Sequence, residues 1–298
     1  MKKLKFKNKN FHTMRTWMLI ALFIISLGNI HAQKEKIKGN KIVVTEQKSV
    51  DAFHTIQLND NFEVTLQEDS DNIISIEADS NLQEVINITV QDSILNIKSD
   101  KRIKRSKALN IKISYAQDLK KIVSFNKVQL KSTSLIKASN IRIESNDDSE
   151  MFLSIEADKT SSITNGKSNV DLHINANEAF YQVNDDSELK GIVEADSLKI
   201  DLYQKGYAKL EGKVTSMLLR ADGNTDFYGE KLITEKTSII AEGSTDCYLI
   251  ANEEITIEAK DDSEIYLLGE PKINIPVFTN EAILYKKKID YSPGLLKL

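Results

Sequence analysis

The chain has 298 residues, 41% apolar and 28% charged, enough for one large domain or two smaller ones with a true core. Residues 1–32 hold six basic residues and no acid, which leaves 34 Lys+Arg against 44 Asp+Glu, a formal −10, on the remainder; a body this acidic excludes nucleic acid as the expected partner, because phosphate contact needs clustered Lys and Arg. The single cysteine excludes a disulfide framework and a thiolate zinc site, and 11 Gly with 3 Pro exclude a collagen-like or proline-rich chain.

The amino terminus reads as an export signal. Basic residues up to Arg15 precede the apolar run Trp17–Leu27, broken only by Ser26, and Gly28-Asn29-Ile30-His31-Ala32 follows. This order predicts a secretory signal peptide over residues 1–32, cleaved after Ala32. The apolar run is about eleven residues, whereas a bilayer span needs roughly 20; an uncleaved membrane anchor is the alternative. Starting at Met14 instead of Met1 would leave the address unchanged. No cysteine lies near the cleavage point to carry a lipid, and no later segment is apolar enough to span a membrane. The expected location is the periplasm, the outer surface or the extracellular space.

Residues 41–125 alternate with the period of strands: Lys41–Glu46, Phe53–Leu58, Phe62–Gln67, Ile73–Ala78, Val85–Gln91, Ile94–Lys98 and Leu109–Ser114. They are expected to be irregular first coils of the structure that follows, since no linker intervenes; a short β-sandwich capping it is the alternative. Within them, Lys101-Arg102-Ile103-Lys104-Arg105-Ser106-Lys107 is the one basic cluster. It reads as a solvated loop, or as a contact for phosphorylated or acidic envelope glycans.

From residue 126 a repeat takes over. Asp147-Asp148-Ser149-Glu150 recurs as Asp185-Asp186-Ser187-Glu188 and Asp261-Asp262-Ser263-Glu264, with Gly166-Lys167-Ser168-Asn169, Gly206-Tyr207-Ala208-Lys209, Gly223-Asn224-Thr225-Asp226 and Gly243-Ser244-Thr245-Asp246 between them. The copies begin at 147, 166, 185, 206, 223, 243 and 261, and the spacing averages 19. A helical hairpin repeat needs more residues, and the flanks alternate with period 2, as in Met151-Phe152-Leu153-Ser154-Ile155 and Ile255-Thr256-Ile257-Glu258-Ala259. Short strands with one fixed turn every 19 residues describe the coil of an all-β parallel β-solenoid, in which stacked coils pair backbone to backbone at about 4.8 Å. Gly or Asp opens the turn because the chain there must adopt a conformation that branched residues resist. The small third residue (Ser149, Ser168, Ser187, Ala208, Thr225, Thr245, Ser263) is expected inward at a tight corner. The apolar fifth (Met151, Val170, Leu189, Leu210, Phe227, Cys247, Ile265) is expected in a core column, which makes Cys247 a small buried hydrophobe. The order Asp147/Asp148, Lys167, Asp185/Asp186, Lys205 and Lys209 predicts a surface ladder of alternating charge that fixes register. Pro271, Pro276 and Pro293 place the end of the repeat and a carboxyl-terminal cap in residues 271–298.

No catalytic, cofactor-binding or metal residues are expected. Carboxylates at the turns suit calcium in principle, but three of the seven turns carry lysine in or beside the template, and the glycine-rich calcium nonapeptide is absent. Only His54 and His173 lie beyond residue 32, too few for a histidine metal cluster or an evident Ser-His-Asp arrangement. A polysaccharide-cleaving enzyme on this scaffold needs clustered carboxylates in a cleft, whereas the acids here are spread one set per coil.

The turns, with Leu109-Asn110-Ile111-Lys112-Ile113-Ser114, Leu119-Lys120-Lys121-Ile122 and the closing Leu268-Gly269-Glu270-Pro271-Lys272-Ile273, resemble the auto-transporter adhesin head GIN domain family (a DUF2807-type domain) over about residues 50–288. The resemblance implies a single-stranded, right-handed parallel β-helix exported to the envelope, and it supplies no catalytic residues. This copy uses Asp-Asp where the family favours glycine. The expectation is an exported, non-enzymatic, adhesin-like binding or structural module, residues 33–298, whose partner is an envelope or extracellular glycan or protein. A carbohydrate-active enzyme and an envelope protein–protein partner are the alternatives.

Overall fold

The computed structural model describes residues 34–288, so the expected signal peptide lies outside the described residues. The strands run in chain order as β1 (Lys36–Ile37), β2 (Val43–Ser49), β3 (Thr55–Leu58), β4 (Glu63–Glu68) and β5 (Ile73–Asp79), then a 3-10 turn over Ser80–Val85. Next come β6 (Ile86–Gln91), β7 (Ile94–Ser99), β8 (Arg102–Ile103), β9 (Leu109–Tyr115), β10 (Lys121–Ser124), β11 (Gln129–Ser132) and β12 (Ile136–Ser145). The long strands are β13 (Glu150–Thr164), β14 (Asn169–Val183), β15 (Glu188–Gln204), β16 (Tyr207–Gly223), β17 (Asp226–Gly243) and β18 (Asp246–Ala259). The last are β19 (Glu264–Leu268), β20 (Lys272–Phe278) and β21 (Ile283–Lys286). Among the described residues no helix is long and apolar enough to cross a membrane.

The architecture is a β-solenoid of about nine turns with about 19 residues each. Every long strand is one coil, paired in parallel with the coils before and after it. Each coil folds at two corners. One is the Gly/Asp turn; the other is a bend at Asp158, Asn177 and Asp196, which the ladder skips. Two sheets therefore face each other across the core. In β13 the first sheet sends Met151, Leu153 and Ile155 inward, and the second sends Thr160, Ser162 and Thr164. Period-2 alternation thus buries a row from each sheet, and stacking turns each row into a column.

The small-residue column is present. Asn169 N donates to Ser149 O, Glu188 N to Ser168 O, Tyr207 N to Ser187 O, Asp246 N to Thr225 O, Glu264 N to Thr245 O and Ile283 N to Ser263 O. All six small residues are at most 1% exposed. The serines of the first three copies close their own turns: Ser149 Oγ donates to Asn146 O at 2.7 Å, Ser168 Oγ to Asn165 O at 2.8 Å and Ser187 Oγ to Asn184 O.

One copy differs from the expected alignment. In the pairing, Gln204 faces Asp185 on one side and Gly223 on the other, so that turn opens at Gln204 and not at Gly206. Ala208 pairs with Leu189 and Phe227 and belongs to the core column, in place of Leu210. The third position of this copy is Gly206. The turn openers all have positive φ: Asp147 63°, Gly166 74°, Asp185 59°, Gln204 64°, Gly223 105°, Gly243 82° and Asp261 58°. A local amide or carboxylate lets Asp and Gln take this left-handed conformation, which branched residues resist.

The turns are held by hydrogen bonds, which corrects the expected charge ladder. Asp147 Oδ2 accepts from Asn126 N at 2.8 Å, Asp185 Oδ2 from Gly166 N at 2.9 Å, and Gln204 Oε1 from Asp185 N at 2.7 Å. Openers with a side chain thus cap the turn one coil earlier, and Gln204 does so without charge. Asn146, Asn165 and Asn184 add an amide ladder at 2.9 and 2.7 Å. Among the described residues Lys167, Lys205 and Lys209 make no ion pair, and the exposed Lys127–Asp148 contact is long at 3.9 Å. Cross-coil ion pairs lie elsewhere, as Lys159–Glu178 and Lys231–Glu211, both at 2.9 Å.

The amino-terminal part contains two parallel rungs in exchanged order. β3 and β4 lie between β10/β11 on one side and β7/β9 on the other. The chain therefore makes its second rung first, goes to the outer end, and crosses back. Antiparallel strands cover that end: β5 pairs with β2 and β9, and β6 with β7. The basic cluster is tied to this cover. β8 pairs with β1, and the buried Asp79 carboxylate accepts from Lys41 N at 2.8 Å, Lys107 N at 2.9 Å and Ala108 N at 3.2 Å. Burial alone would raise this carboxyl; the three N–H donors and the Lys107 charge bring it below its ordinary value.

At the other end, residues 272–286 add a last parallel rung, β20 on β18 and β21 on β19. Ile273 and Phe278 continue core columns there and stay 42% and 41% exposed. Of the expected cap, residues 289–298 lie outside the described residues.

Candidate ligand-binding face

The first sheet's outer face changes character along the stack. One outward column reads Phe152, Asp171, Lys190, Lys209 and then Tyr228, Tyr248, Tyr266, Tyr285. Parallel, in-register pairing sets equal side chains one strand spacing apart, about 4.8 Å, close to the contact distance of stacked rings. The rings stack accordingly. Centroids of Tyr228–Tyr248, Tyr248–Tyr266 and Tyr266–Tyr285 lie 5.1, 4.1 and 4.7 Å apart, with planes within 12° of parallel. Tyr207, from the neighbouring column, joins at 5.4 Å and a 38° tilt. Lys287 Nζ lies 5.0 Å from the Tyr266 centroid and 5.6 Å from that of Tyr285. Ring faces are thus turned toward each other, and ring edges and hydroxyls form the surface.

Asp226, Asp246 and Glu264 follow Tyr207 in the adjacent outward column. Partial burial holds the Asp226 carboxyl above its ordinary range; for Asp246, burial is joined by repulsion from Glu264 and Asp226. Burial and then the Asp226 charge push the Tyr228 phenol up. The Tyr266 hydroxyl donates to Glu264, and that bond is the first cause of its own upward shift.

Beside the ladder, a depression of about 400 Å³ opens between Ile192, Ile233 and Gly212, with the Glu211–Lys231 pair at its side. Ile192 and Ile233 are each 44% exposed. Gly212 has φ +120°, and a Cβ there would sit 2.2 Å from Val193 O. Only glycine passes the neighbouring backbone so closely.

Chemically this face offers a repeating strip of hydroxyls and carboxylates with an apolar step at its side. It holds no assembled nucleophile and base. His54 Nδ1 contacts Asp118 O at 3.0 Å, and His173 Nε2 lies 3.8 Å from Asp171. Cys247 is fully buried in the core column, and burial pushes its thiol up to about 12, so it is packing and not a reactive thiolate. Among the described residues no group of His, Cys, Asp or Glu is placed to hold a metal. The turn acids and the basic cluster, both weighed from sequence, go into turn geometry and the end cover. The tyrosine column escaped the sequence reading, although its members stand 20, 18 and 19 residues apart, the period of the repeat itself.

The family model "Putative auto-transporter adhesin, head GIN domain" matches residues 52–192 and 171–271. No curated protein matches the chain. Among solved structures, a protein called a putative adhesin from Parabacteroides merdae is similar at 19% identity and TM-score 0.59, over 84% of this chain and 98% of that one. A protein so called from Parabacteroides distasonis is similar at 15% identity and TM-score 0.65, over 85% and 100%. A third, from the same species and called a putative lipid binding protein, is similar at 16% identity and TM-score 0.60, over 85% and 99%. At these identities the likeness is one of fold.

Proposed function

Because the chain belongs to the auto-transporter adhesin head GIN domain family, we propose that it is an exported, non-catalytic, adhesin-like module that holds an envelope or extracellular glycan on the tyrosine-lined face. One observation carries this reading: Tyr228, Tyr248, Tyr266 and Tyr285 stand in register on the outside of the stack. Such a row has no role in the core, and an unbroken strip suits an extended ligand better than a small one. The ring faces are taken up by each other, so contact is made through phenol hydroxyls and the carboxylates beside them. That chemistry matches a hydroxyl-rich polymer. The basic, apolar, small-residue order of residues 1–32 supports export.

A glycan array with purified residues 33–298, followed by a product-release assay on any hit, tests the reading. Specific, saturable binding without turnover is expected. Replacing Tyr248 and Tyr266 together by Phe should keep the ladder and lose the binding. Released product would identify a carbohydrate-active enzyme instead, and silence across the array would point to a protein partner.

A further inference from the structure

A second cleft lies on the outer side of the other sheet, away from the tyrosine columns. It measures about 670 Å³, within the range of about 300–1,000 Å³ usual for small-molecule sites. It follows the stack from Lys120 past Arg142, Ser161 and Phe180 to Lys199, one residue per rung. Those four steps give a length of about 19 Å. Leu119, Ile141 and Ala179 line it, all buried, together with the ring of Phe180. The concavity comes from small residues: Ser161 and Ala179 occur where neighbouring coils carry longer side chains, Arg142 and Phe180 for the first and Thr160 and Leu198 for the second.

Two features point to a ligand with a charged head and an apolar chain. The first is charge. Lys120, Arg142, Lys159 and Lys199 line the cleft against only Asp118 and Glu178, on a chain that is acidic beyond its first 32 residues. Lys159 is engaged by Glu178, Arg142 by Glu144 and Lys199 by Asp201. Lys120 is exposed at the end of the cleft and has no ion pair among the described residues. The second is an apolar floor: Ala138 and the ring of Phe180 line the trough between the charged side chains.

We propose that this cleft binds a single-chain anionic amphiphile, a long-chain alkyl carboxylate, with its chain along Ala138 and Phe180 and its head at Lys120. An alkyl chain fits a narrow apolar trough that runs straight along the axis. A carboxylate fits the free ammonium. The site uses no residue of the tyrosine face, so it stands or falls apart from glycan binding.

The test is calorimetric titration of residues 33–298 with dodecanoate below its micelle concentration, with uncharged dodecyl maltoside in parallel. Dodecanoate is expected to bind saturably at one site and the maltoside not. Ser161→Trp, on the outward side of β13, should abolish binding while the thermal midpoint holds. Lys120→Glu should weaken it about five- to tenfold and needs no bulk in the cleft, so it decides the matter if Ser161→Trp fails to fold. No heat with dodecanoate, equal binding of the maltoside, or full affinity in Lys120→Glu would overturn the proposal.

Discussion

Leu189→Ala probes the stack where it is most regular. Leu189 is 0% exposed and sits in the core column between Val170 and Ala208, themselves 3% and 0% exposed. Truncating a fully buried leucine costs about 3–5 kcal/mol, more where the surroundings cannot close in. Here Ala208 is already short, and backbones held by ladders on both sides cannot move inward. The loss should fall near the middle of that range, about 4 kcal/mol. With a urea dependence of about 3 kcal/mol per molar, the unfolding midpoint drops by about 1.3 M. Ile283→Ala is the comparison: that side chain is 40% exposed on the last rung, and its loss should cost about 1 kcal/mol or less. Urea unfolding followed by far-UV circular dichroism reads both. A midpoint shift for Leu189→Ala no larger than that for Ile283→Ala would refute the placement of Leu189 in a closed column.

Three further outcomes follow from the charges. Asp246→Asn should raise the melting temperature at pH 7, because a carboxyl with a raised folded pKa gives its full stabilisation only below its unfolded value near 4; below about pH 3.5 variant and parent should melt together, and a lower melting temperature for the variant at pH 7 would contradict this. Asp79 has the opposite sign: its lowered pKa contributes stability above the unfolded value and loses it as pH falls through the folded one. Asp79→Asn should therefore melt earlier at pH 7 and show a shallower acid decline, checked by calorimetry from pH 7 to 2; an unchanged midpoint would count against the three N–H donors. The phenols of Tyr207, Tyr228 and Tyr266 are held above their ordinary range, so absorbance titration of the folded protein should show these tyrosines ionising above pH 10, and stability should fall as pH rises from 10. Normal titration of every tyrosine would mean the ladder is not formed.

The regular half of the solenoid is legible in the sequence because its turns have a local grammar. Positive φ at the opener selects Gly or Asp, and a tight inward corner selects Ser or Thr, so each coil marks itself. The mark fails where chemistry has a substitute. Gln204 takes the left-handed position and caps Asp185 with an uncharged amide, and Gly206 two residues later gives a false start. The charge order around Lys167 and Lys205 was suggestive, but lysine is long and solvated, while Asp147 and Asp185 reach a backbone N–H at hand. The exchanged rungs β3/β4 and β7/β9 could not be read at all: strand character is local, whereas the choice of neighbour depends on contacts tens of residues away. The tyrosine column was within reach, since register turns an 18- to 20-residue spacing into a stack of rings. The cleft was not, because its shape depends on small residues in two different coils.

Register underlies the core column, the tyrosine ladder and the cleft alike, and a distance measures it directly. Asn169 and Ile283 are 114 residues apart in sequence and six rungs apart in one outward column. Spin labels on cysteines at these positions, with Cys247 replaced by Ala, should give a single electron–electron distance distribution centred near 29 Å, six spacings of about 4.8 Å. A distribution centred beyond about 40 Å, or one without a maximum, would contradict the in-register stack.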